Sequence, residues 1–341
     1  MYRLRNYHLV LITVISSLVI AGSSISNYFG FTKVAYGQSD PNQVNSNTTN
    51  SVNIQDIPVK KIHVGDIDVA YKMFGKGDPI LLIPGASDGM SAWDPSFLKT
   101  LSSNHTVIVF DPRGIGSKPY TPSTLANDTT GLMDVLKIPK AGVMGYSLGS
   151  YIAQQVTMMH PDKVNSLVLI GSSCGGKDHT PKPPEFIKLQ SEIVNQSLNH
   201  IPISHEEMQA LNVASLGQGW VRLHPESSKI PENITTLQQL KPGLPPVVMN
   251  AQMIVGKHWE DNPTWSGACG VLAKLDKPTL VITGTDDNFY QPHVNSLKIA
   301  EKIPGAWLAH IKNAGHAIVN QYPAEVGKIM NTFLSTTGQN S

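Results

Sequence analysis

The sequence predicts an α/β architecture: a mostly parallel sheet with a leading β-hairpin, helices on both faces, and an inserted, mainly helical segment. Three observations carry this expectation. Ile80-Leu81-Leu82-Ile83, Thr106 to Phe110, Gly142 to Met144, Ser166 to Ile170 and Thr279 to Ile282 are short, continuous apolar runs rich in β-branched residues. Such runs suit strands buried on both faces. Helical candidates separate and follow them: Pro122 to Leu136, Ser147 to His160, His293 to Ile303 and Pro323 to Phe333. From about Cys174 to Leu275 the rhythm breaks, with Pro181, Pro183, Pro184, Pro202 and the cluster Pro242 to Pro246.

Composition bounds the function classes. In 341 residues, 40% are hydrophobic and 15% charged, which excludes a disordered or coiled-coil chain and permits one large core. Lys and Arg number 26 against 25 Asp and Glu, a net charge of +1, so no nucleic-acid partner is expected. A chain with a near-neutral surface needs no partner, and a monomer is the default.

At the amino terminus, Met1 to His8 holds Arg3 and Arg5, and Leu9 to Gly22 is apolar apart from Thr13, Ser16 and Ser17. A helix needs about 20 apolar residues to cross a bilayer, and this run is shorter. Ala35-Tyr36-Gly37 offers the small residues of a cleavage site, so residues 1–37 are expected to be a signal peptide and the protein secreted or extracytoplasmic. The competing reading is an uncleaved membrane anchor. Residues 38–56, rich in Asn, Ser and Thr, read as a flexible tether. The sequons at Asn47, Asn104, Asn127, Asn195 and Asn233 add only weak support for export.

The body then divides into a core of 57–173 and 276–341 and an insertion of 174–275. Lys61 to Val64 and Ile67 to Tyr71 flank Gly65-Asp66 as a hairpin. In the insertion, Phe186, Leu189, Ile193 and Val194 recur on one helical face, and Ser204 with Glu207 has capping-box spacing ahead of Met208 and Leu211. Its place suggests a cover over the carboxyl edge of the sheet, where open α/β folds bind ligands.

The chemistry centres on Val143-Met144-Gly145-Tyr146-Ser147-Leu148-Gly149-Ser150. A strand ends there, a helix begins, and Gly-x-Ser-x-Gly occupies the junction. The pattern alone also describes a glycine-flanked N-cap serine, but the strand and helix around it favour a nucleophile elbow. The glycines remove side chains that would collide, and the helix start offers N–H groups and a positive dipole end to developing negative charge. A serine hydroxyl is a weak nucleophile, so a base and an orienting carboxylate are required. Thr279 to Ile282 runs into Thr283-Gly284-Thr285-Asp286-Asp287, and Trp307 to Ile311 runs into Lys312-Asn313-Ala314-Gly315-His316. Either aspartate meets the requirement.

In these motifs the chain resembles the α/β-hydrolase superfamily, in its serine-nucleophile branch with a helical cap. The likeness runs from the hairpin near Lys61 to the last helix, outside the insertion. It implies a Gly-x-x-Asp acid, which selects Asp287 with Asp286 as fallback, and a Gly-His base, which selects His316. Asp111-Pro112-Arg113-Gly114-Ile115-Gly116-Ser117 looks like a structural turn of the family, with Arg113 bracing loops. After Ile80 to Ile83 the family often has His-Gly, where this chain has Pro84-Gly85-Ala86-Ser87. The resemblance still assigns the oxyanion donors to the backbone N–H groups of Ala86 and Leu148. Trp93 resembles an aromatic beside the pocket, and a packed core tryptophan is at least as good a reading.

The implied function is an exported serine hydrolase that cleaves a small ester or related acyl compound through an acyl-enzyme. The same residues serve enol-lactone, C–C bond, aminopeptidase and perhydrolase chemistry on this fold, and a non-catalytic small-ligand receptor is the rival from another class. The insertion lacks an evident acidic cluster for a substrate amine beyond Glu206-Glu207. No zinc-binding spacing accompanies His205, and neither a dinucleotide fingerprint nor a Walker loop occurs, so no cofactor, metal or nucleotide is expected. Cys174 and Cys269 bracket the insertion, either as one bridge between its hinges or as two buried thiols.

Overall fold

The computed structural model describes residues 56–114, 120–182, 184–237, 245–287 and 292–337. The expected leader 1–37, nearly all of the 38–56 tether, Ile115-Gly116-Ser117 of the Arg113 turn and the first part of the Pro242 to Pro246 cluster lie outside them.

Eight strands form one sheet: β1 (Lys60–Val64), β2 (Ile67–Gly75), β3 (Asp78–Ile83), β4 (His105–Phe110), β5 (Ala141–Tyr146), β6 (Val164–Ile170), β7 (Thr279–Gly284) and β8 (Trp307–Ile311). Their spatial order is β1-β2-β4-β3-β5-β6-β7-β8. β1 and β2 form the hairpin, with Val64 opposite Ile67 and Gly65 at φ 64° supplying the turn that a side chain would disfavour. β2 runs antiparallel to β4, and all later pairs are parallel. The chain leaves β3 toward β4 on one side and reaches β5 on the other. The carboxyl ends of β3 and β5 therefore flank the switch point of the sheet, the crevice where doubly wound folds bind ligands.

Helices cover both faces. On one side lie α1 (Pro95–Ser102) and the carboxyl-terminal helix; on the other lie α2 (Pro122–Val135) and α3 (Leu148–Met159). Asp94 starts α1 by accepting from Ser96 N at 2.7 Å and Phe97 N at 3.3 Å, with Pro95 in the first turn. The strand alternation explains the unbroken apolar runs: Ile80 and Leu82 pack with Phe97, Leu101, Met330 and Phe333, whereas Leu81 and Ile83 pack with Leu132, Ile152 and Val156.

Between β6 and β7 come α4 (Pro184–Leu198), α5 (His205–Leu216), α6 (Gln218–Leu223), α7 (Pro246–Glu260) and the short α8 (Cys269–Leu272). Phe186 and Ile193 of α4 are buried, and Leu189 and Val194 are partly so. Ser204 and Glu207 complete a capping box at α5, whose Met208 and Leu211 are buried. These helices lie against the loops at the carboxyl ends of the strands, since Gly217 abuts Asp286 and Gly315, and Gln252 reaches Ser87. The chain ends with α9 (Pro292–Lys302), α10 (Ile318–Gln321) and α11 (Pro323–Thr337). No helix of the described residues is long and apolar enough to cross a membrane.

Of the two readings of the cysteines, the structure shows the bridge: Cys174 and Cys269 are disulfide-bonded across 95 residues of sequence, beside a hydrogen bond from Ala268 N to Cys174 O of 2.8 Å. Closing so long a loop restricts the unfolded chain, an effect of about 2 to 5 kcal/mol. Replacing both cysteines by serine is expected to lower the unfolding free energy by that amount in denaturant titration. A shift below about 0.5 kcal/mol would remove the bridge from the account of stability.

Candidate active site

Ser147 stands between β5 and α3 with φ 53° and ψ −124°, a conformation that costs a non-glycine residue about 1 to 3 kcal/mol and persists only where the surroundings enforce it. They do so at both ends. Ser147 N donates to Ile170 O at 2.9 Å, and the Ser150 hydroxyl donates to Ser147 O at 2.6 Å. Gly145 and Gly149 make the turn possible: a Cβ on Gly145 would lie 2.2 Å from Gly149 O, and one on Gly149 2.2 Å from Ile83 O. Ser147 is buried, and its hydroxyl makes no hydrogen bond among the described residues.

The second and third residues come from the ends of β7 and β8. His316 Nδ1 lies 2.9 Å from Asp287 Oδ2, and both side chains are at most 2% exposed. Asp286 points elsewhere: its carboxylate accepts from Gly219 N, at the start of α6, and from the Thr285 hydroxyl. The imidazole packs beside the elbow. Its ring centre is 5.2 Å from that of Tyr146, the residue before Ser147, and the Tyr146 hydroxyl donates to His316 O at 2.9 Å. Gln321 of α10 holds the same loop, accepting from Gly315 N and donating to Leu216 O.

Ala86 follows Gly85, where an added Cβ would sit 3.3 Å from Ser147 Cβ, so the loop after β3 touches the elbow. Ala86 and Leu148 are among the residues that line a cavity of about 490 Å³ between α4 and α7. Apolar Ile187, Val194 and Met253 line it along with polar Gln190 and Asn195. Its polar wall includes Glu260, which takes Lys182 Nζ at 3.0 Å and the Tyr151 hydroxyl at 2.8 Å. His179, on the same wall, has its pKa lowered by burial despite the nearby Glu260 carboxylate. Trp93 is a core residue here, packed against Phe97 and edge-on to Tyr146. Arg113 is buried and bonds Asp128 and Asp66, which favours its charged form. Among the described residues, no group of three or more His, Cys, Asp or Glu side chains could hold a metal ion.

Two contributors lie outside any motif. Gly171 (φ 58°) ends β6, and a Cβ there would meet His316 Cε1 at 2.7 Å. A glycine directly after an apolar strand was the available signal. Gln252, on α7, has no local signal, because its partner Ser87 is 165 residues away.

Comparison with known families matches a model described as the alpha/beta hydrolase fold to residues 78–319. The chain belongs to the α/β-hydrolase family. Among curated relatives it is 25% identical over 273 residues to a protein of Azorhizobium caulinodans named "Putative carbamate hydrolase RutD", covering 75% of this chain and 90% of that one. It is 23% identical over 266 residues to the 2-hydroxy-6-oxo-6-phenylhexa-2,4-dienoate hydrolase of Burkholderia cepacia, covering 75% and 85% respectively. Among solved structures, a thermophilic esterase from Thermogutta terrifontis superposes with a TM-score of 0.66 at 23% identity, over 82% of this chain and 99% of that one. At that identity the likeness speaks for the α/β-hydrolase fold alone.

Proposed function

We propose that this α/β-hydrolase is an exported serine esterase that cleaves a small ester or related acyl compound through an acyl-enzyme. The observation that carries the reading is a serine on a strained elbow at the switch point of the sheet, beside an imidazole already bonded to a buried carboxylate. In this mechanism substrate binding closes the hydrogen bond from the Ser147 hydroxyl to His316 Nε2, a contact that often tightens only in the complex. Ser147 Oγ attacks the carbonyl carbon while its proton passes to Nε2, and the Asp287 carboxylate stabilises the imidazolium. The N–H groups of Ala86 and Leu148 receive the oxyanion. Collapse breaks the bond to the leaving group, which takes the proton from His316. Water then repeats the sequence, releasing the acid and returning the proton to Ser147.

The helices between β6 and β7 serve in this reading as a cap, with the cavity between α4 and α7 as the acyl site. Its mixed lining favours an acyl group of modest length over a long apolar chain. The disulfide supports export, since cytosolic thiols are kept reduced.

The test is a panel of p-nitrophenyl esters from acetate to palmitate, with aryl carbamates alongside, on the purified protein. Turnover is expected to peak at short to medium acyl length, together with covalent labelling by a fluorophosphonate. Saturable ligand binding with no product from any member, and no labelling, would replace the esterase by a receptor.

A further inference from the structure

The oxyanion loop of this chain lacks the histidine common in the family, and the structure shows what holds it instead. Ser87, next to Ala86, has φ 64°, a left-handed conformation that a serine keeps only under restraint. Its backbone N–H donates to Gln252 Oε1 at 2.6 Å. Gln252 belongs to α7, is buried, and lines both the 490 Å³ cavity and a neighbouring void of about 20 Å³ beside Gly85, Tyr120 and Leu148.

The other end of the carboxamide is fixed as well. The Tyr120 hydroxyl donates to Arg113 O at 3.1 Å and interacts with the Gln252 side chain beside the void that both residues line. Burial pushes the Tyr120 phenol up to about 12, so it keeps its one proton, which is committed to Arg113. With Oε1 taken by Ser87 N, the Gln252 amide N–H is the group that can donate toward the tyrosine oxygen. Arg113 itself is clamped by Asp128 and Asp66. A line of contacts thus runs from Asp128 through Arg113, Tyr120 and Gln252 to the amide adjacent to Ala86.

We infer that Gln252 is a positioning residue for the oxyanion loop: by accepting from Ser87 N it sets the place of the Ala86 N–H and ties that donor to helix α7 above the cavity. The inference rests on the proposed role of Ala86. An oxyanion donor acts over a window of only a few tenths of an ångström, from 2.7 to 3.1 Å, so a small drift of the loop weakens the transition state while substrate binding along the cavity is retained.

The experiment compares the wild type with Gln252→Leu, Tyr120→Phe and the double variant. It measures kcat and KM on the best ester of the panel, the inhibition constant of an alkyl boronic acid as a mimic of the tetrahedral adduct, and the thermal midpoint. Gln252→Leu is expected to lower kcat about 10- to 100-fold with KM within about threefold, and to weaken the boronate in proportion. Tyr120→Phe deletes one oxygen and keeps the ring in place, so it remains informative should the leucine variant fold poorly. It is expected to lower kcat about 3- to 10-fold, and the double variant to be no worse than Gln252→Leu, as for two links of one chain. Unchanged kcat and boronate affinity with only a lower thermal midpoint would reduce Gln252 to packing, and multiplying losses in the double variant would break the chain at Tyr120. A wild type that neither binds the boronate nor reacts with a fluorophosphonate would instead overturn the underlying serine mechanism.

Discussion

Replacing Ser147 by alanine is expected to lower kcat/KM for ester hydrolysis about 10⁵- to 10⁶-fold while leaving the fold intact. The size follows from removing the only atom that bonds to substrate carbon in the proposed mechanism; what survives is the contribution of binding and oxyanion stabilisation. The intact fold follows from how the elbow is held. Its restraints are the hydrogen bonds from Ser147 N to Ile170 O and from the Ser150 hydroxyl to Ser147 O, and the packing of Gly145 and Gly149; none uses the Ser147 side-chain oxygen. That oxygen is buried with no hydrogen bond among the described residues, a state that costs free energy, so the alanine variant should unfold at the same or a slightly higher temperature. His316→Ala is expected to give a comparable loss, and the double variant no more, because nucleophile and base act as one unit. Retention of more than about 1% of wild-type activity by Ser147→Ala, or equal fluorophosphonate labelling of both proteins, would assign the chemistry to another residue.

How much of this was legible in the sequence depends on the range over which each signal acts. The central strands are readable because burial on both faces makes most positions apolar, and the structure places Ile80 to Ile83 and Thr106 to Phe110 inside β3 and β4. The elbow was readable because its demands are local: two glycines within two residues of Ser147, forced by backbone approaches of 2.2 Å. Helix α1 is hard to read although Asp94-Pro95 is a strong start signal, since its eight residues give too short a periodic run between two strands. α10, of four residues, offers still less. Gln252 was beyond reach for a different reason. Its meaning arises only when α7 is laid over the loop after β3, and nothing in the residues around it records a partner so distant along the chain. The same holds for the choice between bridge and thiols at Cys174 and Cys269, which turns on three-dimensional proximity.

The pair Asp286 and Asp287 gives the sharpest contrast between neighbours. Asp287→Asn is expected to lower kcat about 10⁴-fold, and Asp286→Asn less than about tenfold. Asp287 Oδ2 faces His316 Nδ1 at 2.9 Å inside a site where both side chains are essentially inaccessible to water. When Ser147 gives up its proton the imidazole becomes cationic there, and a buried cation without a counter-charge is strongly disfavoured. An asparagine keeps the volume but supplies no charge, and its amide group can hold the imidazole in the wrong tautomer. Asp286 lies one residue away, yet its two carboxylate oxygens serve Gly219 N and the Thr285 hydroxyl; an asparagine keeps the first with its single oxygen, and its NH2 faces the Thr285 hydroxyl, which can accept. Its loss should therefore appear as a modest change in how α6 docks on the loop, read in the thermal midpoint more than in kcat. Equal losses in the two variants, or a larger one at Asp286, would mean that the loop rearranges on substrate binding and that the carboxylate at 287 is not the one that serves the base.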